Sequence, residues 1–557
     1  SQKKASLPIN RGNIMRILGL MSSHDCSFAI LDKGIPVFHA ELERYVRKKE
    51  PEGDPFAFFQ DVCGQDAWKQ IDAITACHGF VEHMKNNFPD GFEKLMEIVK
   101  NNNIPFYSVG HHQSHAANAF YSSNFKEALV VTLDGGGLDL ASDSSSIIPT
   151  SFTVWDGEDK KLRNVSITHS ELLNIGFAWQ RVTRLVFGLS AGYPKGNQAG
   201  TVMAMACMGD ADKYLDYFEK FNFTNSSFHV DSPESEKYFD FVKMREIASR
   251  SEQDAFDVAA ALQKATENKV KQIFDVLVEQ TDRKLLCLSG GVVLNSVMTG
   301  KLHEWYKDKF EEIYVCPVSY DAGISIGSAQ FVWHHIMKSP RIEWKNNATP
   351  FLGETYETTA IEKALASMIY IDGKDLKVTN AGIDEIIDLL DGQNIISVFS
   401  GPSESGRRAL GNRSIIADPR RLEMKDTINE KVKHRQWYRP FAPSILREKV
   451  SEWFEIDIDS PYMSYVVDFK EEMKDKVPAV VHIDGTARLQ TVTKEDNGWY
   501  YELIKKWDQK TGVPIILNTS FNDREPIVET PEHAISCFVG TNIDYLYFVD
   551  AKLLVSK

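Results

Sequence analysis

The stretch MRILGLMSSHDCSFAILDKGIPVFHAELER, residues 15–44, decides the fold of the first part of this 557-residue chain. An apolar run leads directly into the small polar turn SSHDCS, and a second apolar run follows that turn. A tight turn at residues 32–34 separates the second run from a third, after which the spacing indicates a helix. The stretch therefore predicts three strands and a helix, with backbone N–H groups presented by the turn after the first strand.

The same pattern, an apolar strand that runs into a glycine or small polar turn, occurs twice more. It appears in EALVVTLDGGG, residues 127–137, and in KLLCLSGGVVLNS, residues 284–296. Such turns place backbone N–H groups where phosphate oxygens can lie, although a single glycine turn is also common structural punctuation. Because a strand hairpin over a phosphate is typical of actin-like and sugar-kinase-like ATPases, we expect an actin-like α/β ATPase domain at the N-terminus.

The length of the chain exceeds what one compact core usually needs, so we expect more than one domain. Around residues 338–358 the composition shifts to Pro, Asn, Lys and Glu, which is typical of a crossing between domains. We therefore predict domains at residues 1–350 and 351–557. Residues 254–279 keep apolar side chains at helical spacing and predict a long helix that packs on a sheet.

Composition limits the classes of partner. The formal net charge is -15, and a broad surface for nucleic acid or anionic lipid needs clustered Lys and Arg instead. The seven cysteines are scattered and never stand in C-x-x-C spacing, which favours a reducing cytoplasm over a disulfide framework or a thiolate zinc site. No apolar stretch has the length of an export signal or a membrane span. We expect a cytoplasmic protein with no membrane contact and no stable nucleic acid complex.

A candidate metal site begins with HHQSHAANAF, residues 111–120. His111 and His115 stand four positions apart, so on a helix they share one face and can reach one cation. A metal site needs further ligands, and Asp134 and Asp321 are the best-placed carboxylates in the sequence. Two histidines with two aspartates suit Fe²⁺, Mn²⁺ or Zn²⁺. The alternative is that the histidines cap a helix or hydrogen-bond a buried loop.

The second half of the chain carries arginines in motifs rich in glycine and proline, which we expect on loops at strand ends. Planar guanidinium groups bind phosphate in a bidentate manner, so arginines on such loops of an acidic protein predict an anion site. The candidate cations are Arg408, Arg413, Arg439 and Arg488, with Asn518 and Ser520 as neutral donors. The alternative is that the arginines form structural ion pairs with Glu404, Asp418, Asp484 and Glu525.

His24 follows the first predicted strand, in SSHDCS, and would lie over the nucleotide site. A histidine there can accept the proton of an attacking hydroxyl, because its pKa lies near the working pH of most enzymes. The alternative is a purely structural histidine.

The motifs RALGNRSIIADPR (408–420), YRPFAPSIL (438–446), HIDGTARLQTV (482–492) and ILNTSFN (516–522) resemble the NodU/CmcH family of O-carbamoyltransferases. In the first half, HDCS, ERYVRKK, HHQSHAA, LDGGG, SGGVVLN and DAGISIGSA follow in family order. The resemblance implies an N-terminal domain similar to the tRNA threonylcarbamoyl-transferase ATPases and a C-terminal α+β domain similar to YrdC.

The resemblance also implies an activity. Carbamoyl phosphate would be split in the C-terminal domain and its carbamate joined to AMP from ATP, and the carbamoyl adenylate would then meet a small-molecule hydroxyl acceptor at the N-terminal metal site. For the metal we favour Fe²⁺, with Mn²⁺ or Zn²⁺ as alternatives, and we expect Mg²⁺ with the ATP. A homodimer is a further expectation.

The resemblance assigns roles to individual positions. Arg408, Arg439, Arg488, Asn518 and Ser520 match carbamoyl phosphate positions; His111, His115, Asp134 and Asp321 match metal ligands; Lys49, Asp134, Gly135, Gly136, Gly290, Gly291 and Asn295 match contacts to the nucleotide or carbamoyl adenylate; and His24 matches the general base. Residues 196–206, GNQAGTVMAMA, depart from the family pattern, because they lack its usual Glu and Gly-Lys. Lys195 is the candidate substitute for that contact.

Two other functions remain as alternatives. The first is a tRNA threonylcarbamoyl-type transferase, which shares the N-terminal fold but fits poorly with the acidic charge balance. The second is a non-catalytic nucleotide-binding regulator in which His111 and His115 are structural.

Overall fold

The computed structural model describes residues 16–141, 146–189, 198–229, 236–342, 350–368 and 376–557. The chain divides into two compact units: unit 1 contains residues 1–298 and 302–348, and unit 2 contains residues 299–301 and 349–557. Helices and strands occur in both units, so the predicted mixed α/β class is confirmed. Among the described helices, none combines the length and the apolar character needed to cross a bilayer.

Two five-stranded sheets form the centre of unit 1. Its strands are β1 Arg16–Met21, β2 Ser27–Asp32, β3 Ile35–Glu41, β4 Ala73–Cys77, β5 Phe106–Val109, β6 Glu127–Leu140, β7 Ile147–Glu158, β8 Lys161–His169, β9 Leu285–Ser289 and β10 Glu312–Val315. Its helices are α1 Leu42–Val46, α2 Pro55–Cys63, α3 Phe80–Asn87, α4 Pro89–Asn101, α5 His111–Ser122, α6 Ile175–Leu185, α7 Ala199–Ala206, α8 Leu215–Glu219, α9 Phe241–Ala248, α10 Glu252–Gln280, α11 Ser296–Trp305 and α12 Ile324–Phe331.

The two sheets repeat one topology. The first has the order β3-β2-β1-β4-β5, and the second has the equivalent order β8-β7-β6-β9-β10. In each, the first three strands in sequence form an antiparallel meander and the last two are parallel to the first. Helices α5 and α12 each follow the last strand of one sheet, pack on the other sheet and contact one another. The sequence shows no repeat, so this duplication exists only at the level of topology.

The opening stretch folds as predicted, with β1, β2, a two-residue turn, β3 and helix α1. The turn residues Lys33 and Gly34 both have positive φ values, 51° and 85°. Such a turn matches the right-handed twist of the strands that it joins. The predicted long helix is confirmed as α10, but its main contacts are with helices α7, α8 and α9 rather than with a sheet.

The prediction that a strand ends at Asp134 is wrong. Strand β6 continues to Leu140, and its pairing with β7 shifts register between Leu133 and Gly137. Glycines permit this bulge, because Gly136 has a φ of 152° that residues with side chains rarely adopt. Asp134 therefore lies inside a bulge rather than in a turn at the end of the strand.

Unit 2 is built on one nine-stranded sheet with the order β11-β19-β18-β12-β13-β17-β14-β16-β15. Its strands are β11 Lys377–Asn380, β12 Ile396–Phe399, β13 Arg413–Ala417, β14 Ala442–Leu446, β15 Tyr465–Asp468, β16 Thr486–Val492, β17 Ile515–Ser520, β18 Tyr545–Phe548 and β19 Leu553–Ser556. Its helices are α13 Thr358–Met368, α14 Ile383–Asp391, α15 Glu423–Thr427, α16 Val450–Trp453, α17 Gly498–Thr511 and α18 Pro531–Gly540.

One face of this sheet is covered by helices α14 and α17. Trp507 and Tyr500 of α17 are fully buried there against strand residues such as Ile416 and Ile516. The predicted loop positions are only partly correct, because Arg408 and Arg439 lie on loops whereas Arg488, Asn518 and Ser520 lie on strands β16 and β17. Strand positions give the last three a rigid backbone.

Candidate functional site

Four predicted metal ligands come together in unit 1. His111 and His115 lie on the first turns of α5, Asp134 lies in the β6 bulge, and Asp321 lies in the short turn that begins α12. All four are buried, and one potential ligand atom from each lies within 4.8 Å of the others. Because α5 and α12 follow the equivalent last strands of the two sheets, the repeated topology brings the two helix starts together.

The distances within this group are short. His111 Nε2 lies 3.2 Å from Asp134 Oδ2 and 3.5 Å from Asp321 Oδ1. His115 Nε2 lies 3.4 Å from Asp321 Oδ1 and 3.9 Å from Asp134 Oδ2. Both imidazoles therefore direct the same ring nitrogen to the same pair of carboxylates.

The charges in the cluster depend on one another. Burial would raise the pKa of the Asp321 carboxyl, but the positive charge and hydrogen bond of His111 hold that pKa well below its ordinary value. Burial would lower the pKa of His111, but Asp321 and Asp134 raise it well above its ordinary value. Two carboxylates at this spacing need a positive charge near them, which two protonated histidines or a divalent cation can supply.

The hydrogen bonds of His115 favour a cation. Its Nδ1 lies 3.4 Å from Ser289 Oγ, which fixes the orientation of the ring. Its Nε2 is buried and faces Asp321 Oδ1 at 3.4 Å, but it makes no well-aligned hydrogen bond to a described residue, although a buried polar atom normally has one. A metal ligand with this second contact is a common arrangement. The four residues therefore fit a divalent metal ion.

Asp134 also joins this cluster to the predicted nucleotide turns. Its Oδ1 accepts a hydrogen bond of 2.7 Å from the backbone N–H of Gly291. Gly290 has a φ of 99°, and a Cβ at this position would lie 2.1 Å from the carbonyl oxygen of Leu133. Glycine is thus required where the two turns meet, and Gly135 and Gly136 of the β6 bulge lie directly beside them.

Two other residues predicted to contact the nucleotide, Asn295 and Lys49, lie in different surroundings from the glycine turns. The Asn295 side chain caps α11 by accepting from Met298 N at 3.1 Å, and it exchanges two hydrogen bonds with Gln263. Lys49 lies on an exposed turn after α1. The segment that departs from the family pattern falls partly, with Lys195, outside the described residues.

His24 lies at the edge of the metal cluster, after β1. Its side chain is 43% exposed, and Nε2 lies 3.5 Å from Asp321 Oδ2. Burial would lower the pKa of His24, but the nearby carboxylates of Asp321 and Asp25 raise it. A partly exposed imidazole beside the buried cluster can meet a hydroxyl that enters from solvent.

Three predicted cations of unit 2 lie close to one another. Burial, and then the positive charges of Arg408, Arg439 and Arg435, hold the pKa of Arg488 well below its ordinary value. Arg488 Nε is buried, and no described residue gives it a hydrogen-bond partner. Clustered arginines of this kind repel one another unless an anion lies among them.

Arg413, the fourth predicted cation, belongs to the core instead. It is fully buried in β13, and its guanidinium donates to the backbone carbonyls of Ser400 and Gly401. The same group lies 3.5 Å from the centroid of the Phe399 ring. The anion-site interpretation of Arg413 is therefore wrong. Glu404, one of the acidic residues proposed for structural ion pairs, accepts from the backbone N–H groups of Leu410 and Arg413.

Sequence reasoning missed Lys433. This buried lysine donates to the carbonyl and hydroxyl oxygens of Ser520, at 2.8 and 3.3 Å, and to the carbonyl of Asn522 at 2.8 Å. Asn518 donates to Ala409 and Gln490, and its Oδ1 is buried without a partner in the described residues. The segment KVKHRQW, residues 431–437, could have indicated Lys433, because it places several cations directly before the YRPFAPSIL motif.

Both halves of the chain are similar to known protein families. Residues 83–330 match the family model "Carbamoyltransferase N-terminus", and residues 387–556 match "Carbamoyltransferase C-terminus". An uncharacterized protein of Synechocystis sp. is 31% identical, and the match covers 96% of each chain. Nodulation protein NolO of Bradyrhizobium diazoefficiens is 35% identical, and the match covers 81% of this chain and 79% of that protein.

Among solved structures, HypF of T. kodakarensis is similar with a TM-score of 0.35 and 12% identity, covering 58% of this chain and 48% of that one. The assignment to a family rests on the sequence matches alone. With both halves matched and a relative aligned over almost its whole length, the chain is an enzyme of the carbamoyltransferase family.

Proposed function

We propose that this chain is an ATP-dependent O-carbamoyltransferase. In this proposal, unit 2 hydrolyses carbamoyl phosphate to carbamate and phosphate and joins the carbamate to AMP from ATP, which releases pyrophosphate. Unit 1 then transfers the carbamoyl group of this carbamoyl adenylate to a hydroxyl of a small molecule such as a natural product, a sugar or a nucleotide, and AMP leaves. The observation that carries the proposal is the group of arginines around Arg488, whose positive charges repel one another. In a carbamoyltransferase, a substrate that bears a phosphate group would neutralise these charges.

The polar atoms of unit 2 suit both ends of carbamoyl phosphate. Arg408, Arg439 and Arg488 provide guanidinium donors for a phosphate dianion. The unpartnered Oδ1 of Asn518 can accept from the carbamoyl NH₂ group. Lys433 holds the backbone and hydroxyl of Ser520 in place, so that this residue is pre-positioned before the ligand arrives. We propose a YrdC-like role for this unit on the same grounds.

The topology of unit 1 supports an actin-like ATPase. Two sheets of equivalent order, the first with a small polar turn after β1 and the second with a glycine bulge within β6, present two sets of backbone N–H groups on equivalent strands. Gly291 and Asp134 connect the second sheet's bulge to the turn after β9. In this proposal the turns contact the nucleotide part of carbamoyl adenylate and hold the charge that develops on the departing AMP.

The metal cluster and His24 supply the transfer chemistry. A divalent ion held by His111, His115, Asp134 and Asp321 would polarise the carbamoyl oxygen as a Lewis acid. We favour Fe²⁺ there, and Mg²⁺ as the companion of ATP. His24 Nε2 accepts the proton of the acceptor hydroxyl, and Asp321 stabilises the resulting imidazolium.

The first half-reaction can be tested without knowledge of the acceptor. Formation of carbamoyl adenylate releases pyrophosphate, so the protein should catalyse exchange of labelled pyrophosphate into ATP only when carbamoyl phosphate is present. Arg439→Ala and Arg488→Ala should each abolish this exchange, because they remove donors to the substrate. Absence of carbamoyl phosphate-dependent exchange in the unaltered protein, with Mg²⁺ present, would refute the proposal.

A matched control lies in the same unit. Arg420 pairs with Asp418 and Asp391 and lies over the ring of Trp507, 4.9 Å from its centroid. Arg420→Ala removes an arginine of equal size whose contacts are structural, so exchange should persist in the protein that remains folded. Equal losses from Arg420→Ala and Arg488→Ala would mean that the assay reports folding rather than substrate binding.

A further inference from the structure

Beyond its bulge, strand β6 reverses the usual pattern of a surface hairpin. Leu138 and Leu140 are exposed, at 37% and 46%, whereas Asp139 between them is 2% exposed. Alternate residues of a strand face opposite sides, so this hairpin directs its apolar side chains to solvent and its carboxylate inward. Burial of a carboxylate is costly unless hydrogen-bond donors surround it. Asp139 therefore has a specific inward partner.

That partner is the first turn of helix α5. Asp139 Oδ2 accepts from the backbone N–H of His112, and Oδ1 accepts from that of Gln113, each at 3.1 Å. The first N–H groups of a helix have no partner within the helix, and a carboxylate there also interacts favourably with the helix dipole. Gly110 permits the contact, because a Cβ on it would lie 2.3 Å from Asp139 Oδ1.

The capped helix is the one that carries two of the four cluster residues. One strand, β6, thus provides a cluster carboxylate at Asp134 and fixes the start of the helix that provides His111 and His115. The approach is close, since a Cβ on Gly137 would lie 2.1 Å from the His111 ring. A shift of the first turn of α5 would move both imidazoles relative to Asp134 together.

We propose that Asp139 is a positioning residue for the metal centre, which holds helix α5 so that the Nε2 atoms of His111 and His115 face Asp134 and Asp321. This inference rests on the proposed metal-binding role of that cluster. Asp139 is not one of the four candidate ligands. Its effect passes through two backbone hydrogen bonds, and it sets metal affinity by keeping the ligand atoms in place before the metal binds.

Titration of the metal-free, full-length protein with Co²⁺, followed by its ligand-field absorption, tests the inference. Asp139→Ala removes both acceptors, and Asp139→Asn keeps one acceptor oxygen and loses the charge. Mutation of a residue that holds metal ligands in place typically lowers metal affinity about 10–100-fold, so Asp139→Ala should weaken Co²⁺ binding by that factor. The Co²⁺ affinity of Asp139→Asn should lie between those of Asp139→Ala and the unaltered protein. In the metal-free variants, the amides of His112 and Gln113 should also exchange with deuterium faster.

Asp54 is the matched control. It also caps a helix, as the N-cap residue of α2 whose Oδ1 accepts from the N–H groups of Phe56 and Ala57 at 2.9 and 3.1 Å, but that helix carries none of the cluster residues. Asp54→Ala should therefore leave Co²⁺ affinity unchanged while it loosens α2. Gly110→Ala disturbs the same contact from the helix side, because its Cβ would lie 2.3 Å from Asp139 Oδ1. This variant should therefore weaken Co²⁺ binding as Asp139→Asn does.

The outcomes separate the inference from the proposed function. Unaltered Co²⁺ affinity and absorption in folded Asp139→Ala or Asp139→Asn, with faster exchange at His112, would overturn the positioning role. Failure of the unaltered protein to bind Co²⁺ would overturn both the metal centre and this inference. Normal Co²⁺ binding without carbamoyl phosphate-dependent pyrophosphate exchange would instead contradict only the carbamoyl transfer activity.

Discussion

The backbone N–H of Gly291 donates to Oδ1 of Asp134 over 2.7 Å, although 157 positions separate the two residues. The other oxygen, Oδ2, lies 3.2 Å from His111 Nε2. One carboxylate therefore fixes the glycine turn after β9 and also belongs to the candidate metal cluster. Its two oxygens have separate tasks, which substitutions can distinguish.

Asp134→Asn and Asp134→Ala should have different effects. An asparagine can keep its oxygen towards Gly291 and place its NH₂ group towards the cluster, where it cannot bind a cation. We expect Asp134→Asn to lose metal binding but to keep ATP affinity within about threefold, because the turn remains held. Asp134→Ala releases the turn as well and should weaken both. Metal content and ATP binding by calorimetry measure the two effects, and equal ATP affinities for both variants would contradict the separation.

The sequence predicted the cluster better than its surroundings. The spacing of His111 and His115 gave their shared helix face, and the quoted motifs led to Asp134 and Asp321. The bulge that carries Asp134 was not predictable, because LDGGG reads equally well as the end of a strand. Asp139 was also missed, since its partners are backbone N–H groups of a helix that only the tertiary fold brings near.

In unit 2, composition could not distinguish two kinds of arginine. Arg413 and Arg488 both occur in motifs with strand character, yet one guanidinium is surrounded by backbone carbonyls and the other by further cations. Which carbonyls meet a guanidinium depends on sheet order, and the pairing of β13 with β12 and β17 is long-range information. The same limitation hid Lys433, whose partners are 87 and 89 positions away.

Arg488→Met should stabilise unit 2 while it removes function. Burial and three nearby guanidinium groups hold the pKa of Arg488 well below its ordinary value, so removal of this arginine relieves repulsion between like charges. At low ionic strength we expect the Tm to rise by about 1–3 °C. Added inorganic phosphate should raise the Tm of the unaltered protein but not that of the variant. A lower Tm for Arg488→Met without phosphate would show that the cluster is neutralised by the protein itself.

Arg413→Met should act in the opposite direction. The variant leaves the buried carbonyls of Ser400 and Gly401 without their donor, and each buried acceptor without a partner costs about 1–3 kcal/mol. We expect a clear drop in Tm, with the KM for carbamoyl phosphate in the folded fraction unchanged within about twofold. Differential scanning calorimetry with exchange kinetics below the transition measures both. An unchanged Tm with a raised KM would instead support the original prediction that Arg413 binds the anion.

Glu354 gives unit 2 a pH dependence at neutral pH. Burial, and then the negative charge of Glu529, raise the pKa of Glu354 to about 7, although a hydrogen bond from Tyr356 opposes the shift. Glu529 itself accepts from Ser403 Oγ through both carboxylate oxygens, at 2.9 and 2.7 Å. The negative charge of Glu529 therefore disfavours ionisation of Glu354.

The sign of the effect follows from proton binding. Between the ordinary pKa of a glutamate, 4.5, and about 7, the folded protein holds a proton on Glu354 that the unfolded chain has released. Stability therefore falls as the pH rises through this window and is constant above it. Glu354→Gln removes the ionisation, so its Tm should exceed that of the unaltered protein by about 1–3 °C at pH 8 and by nothing at pH 5. Glu362→Gln, at an exposed position of α13, is the matched control for the replacement of a glutamate in unit 2. A Tm difference for Glu354→Gln that stays constant from pH 5 to 8 would mean that Glu354 titrates as an ordinary surface carboxyl, and that the pair with Glu529 is screened by solvent.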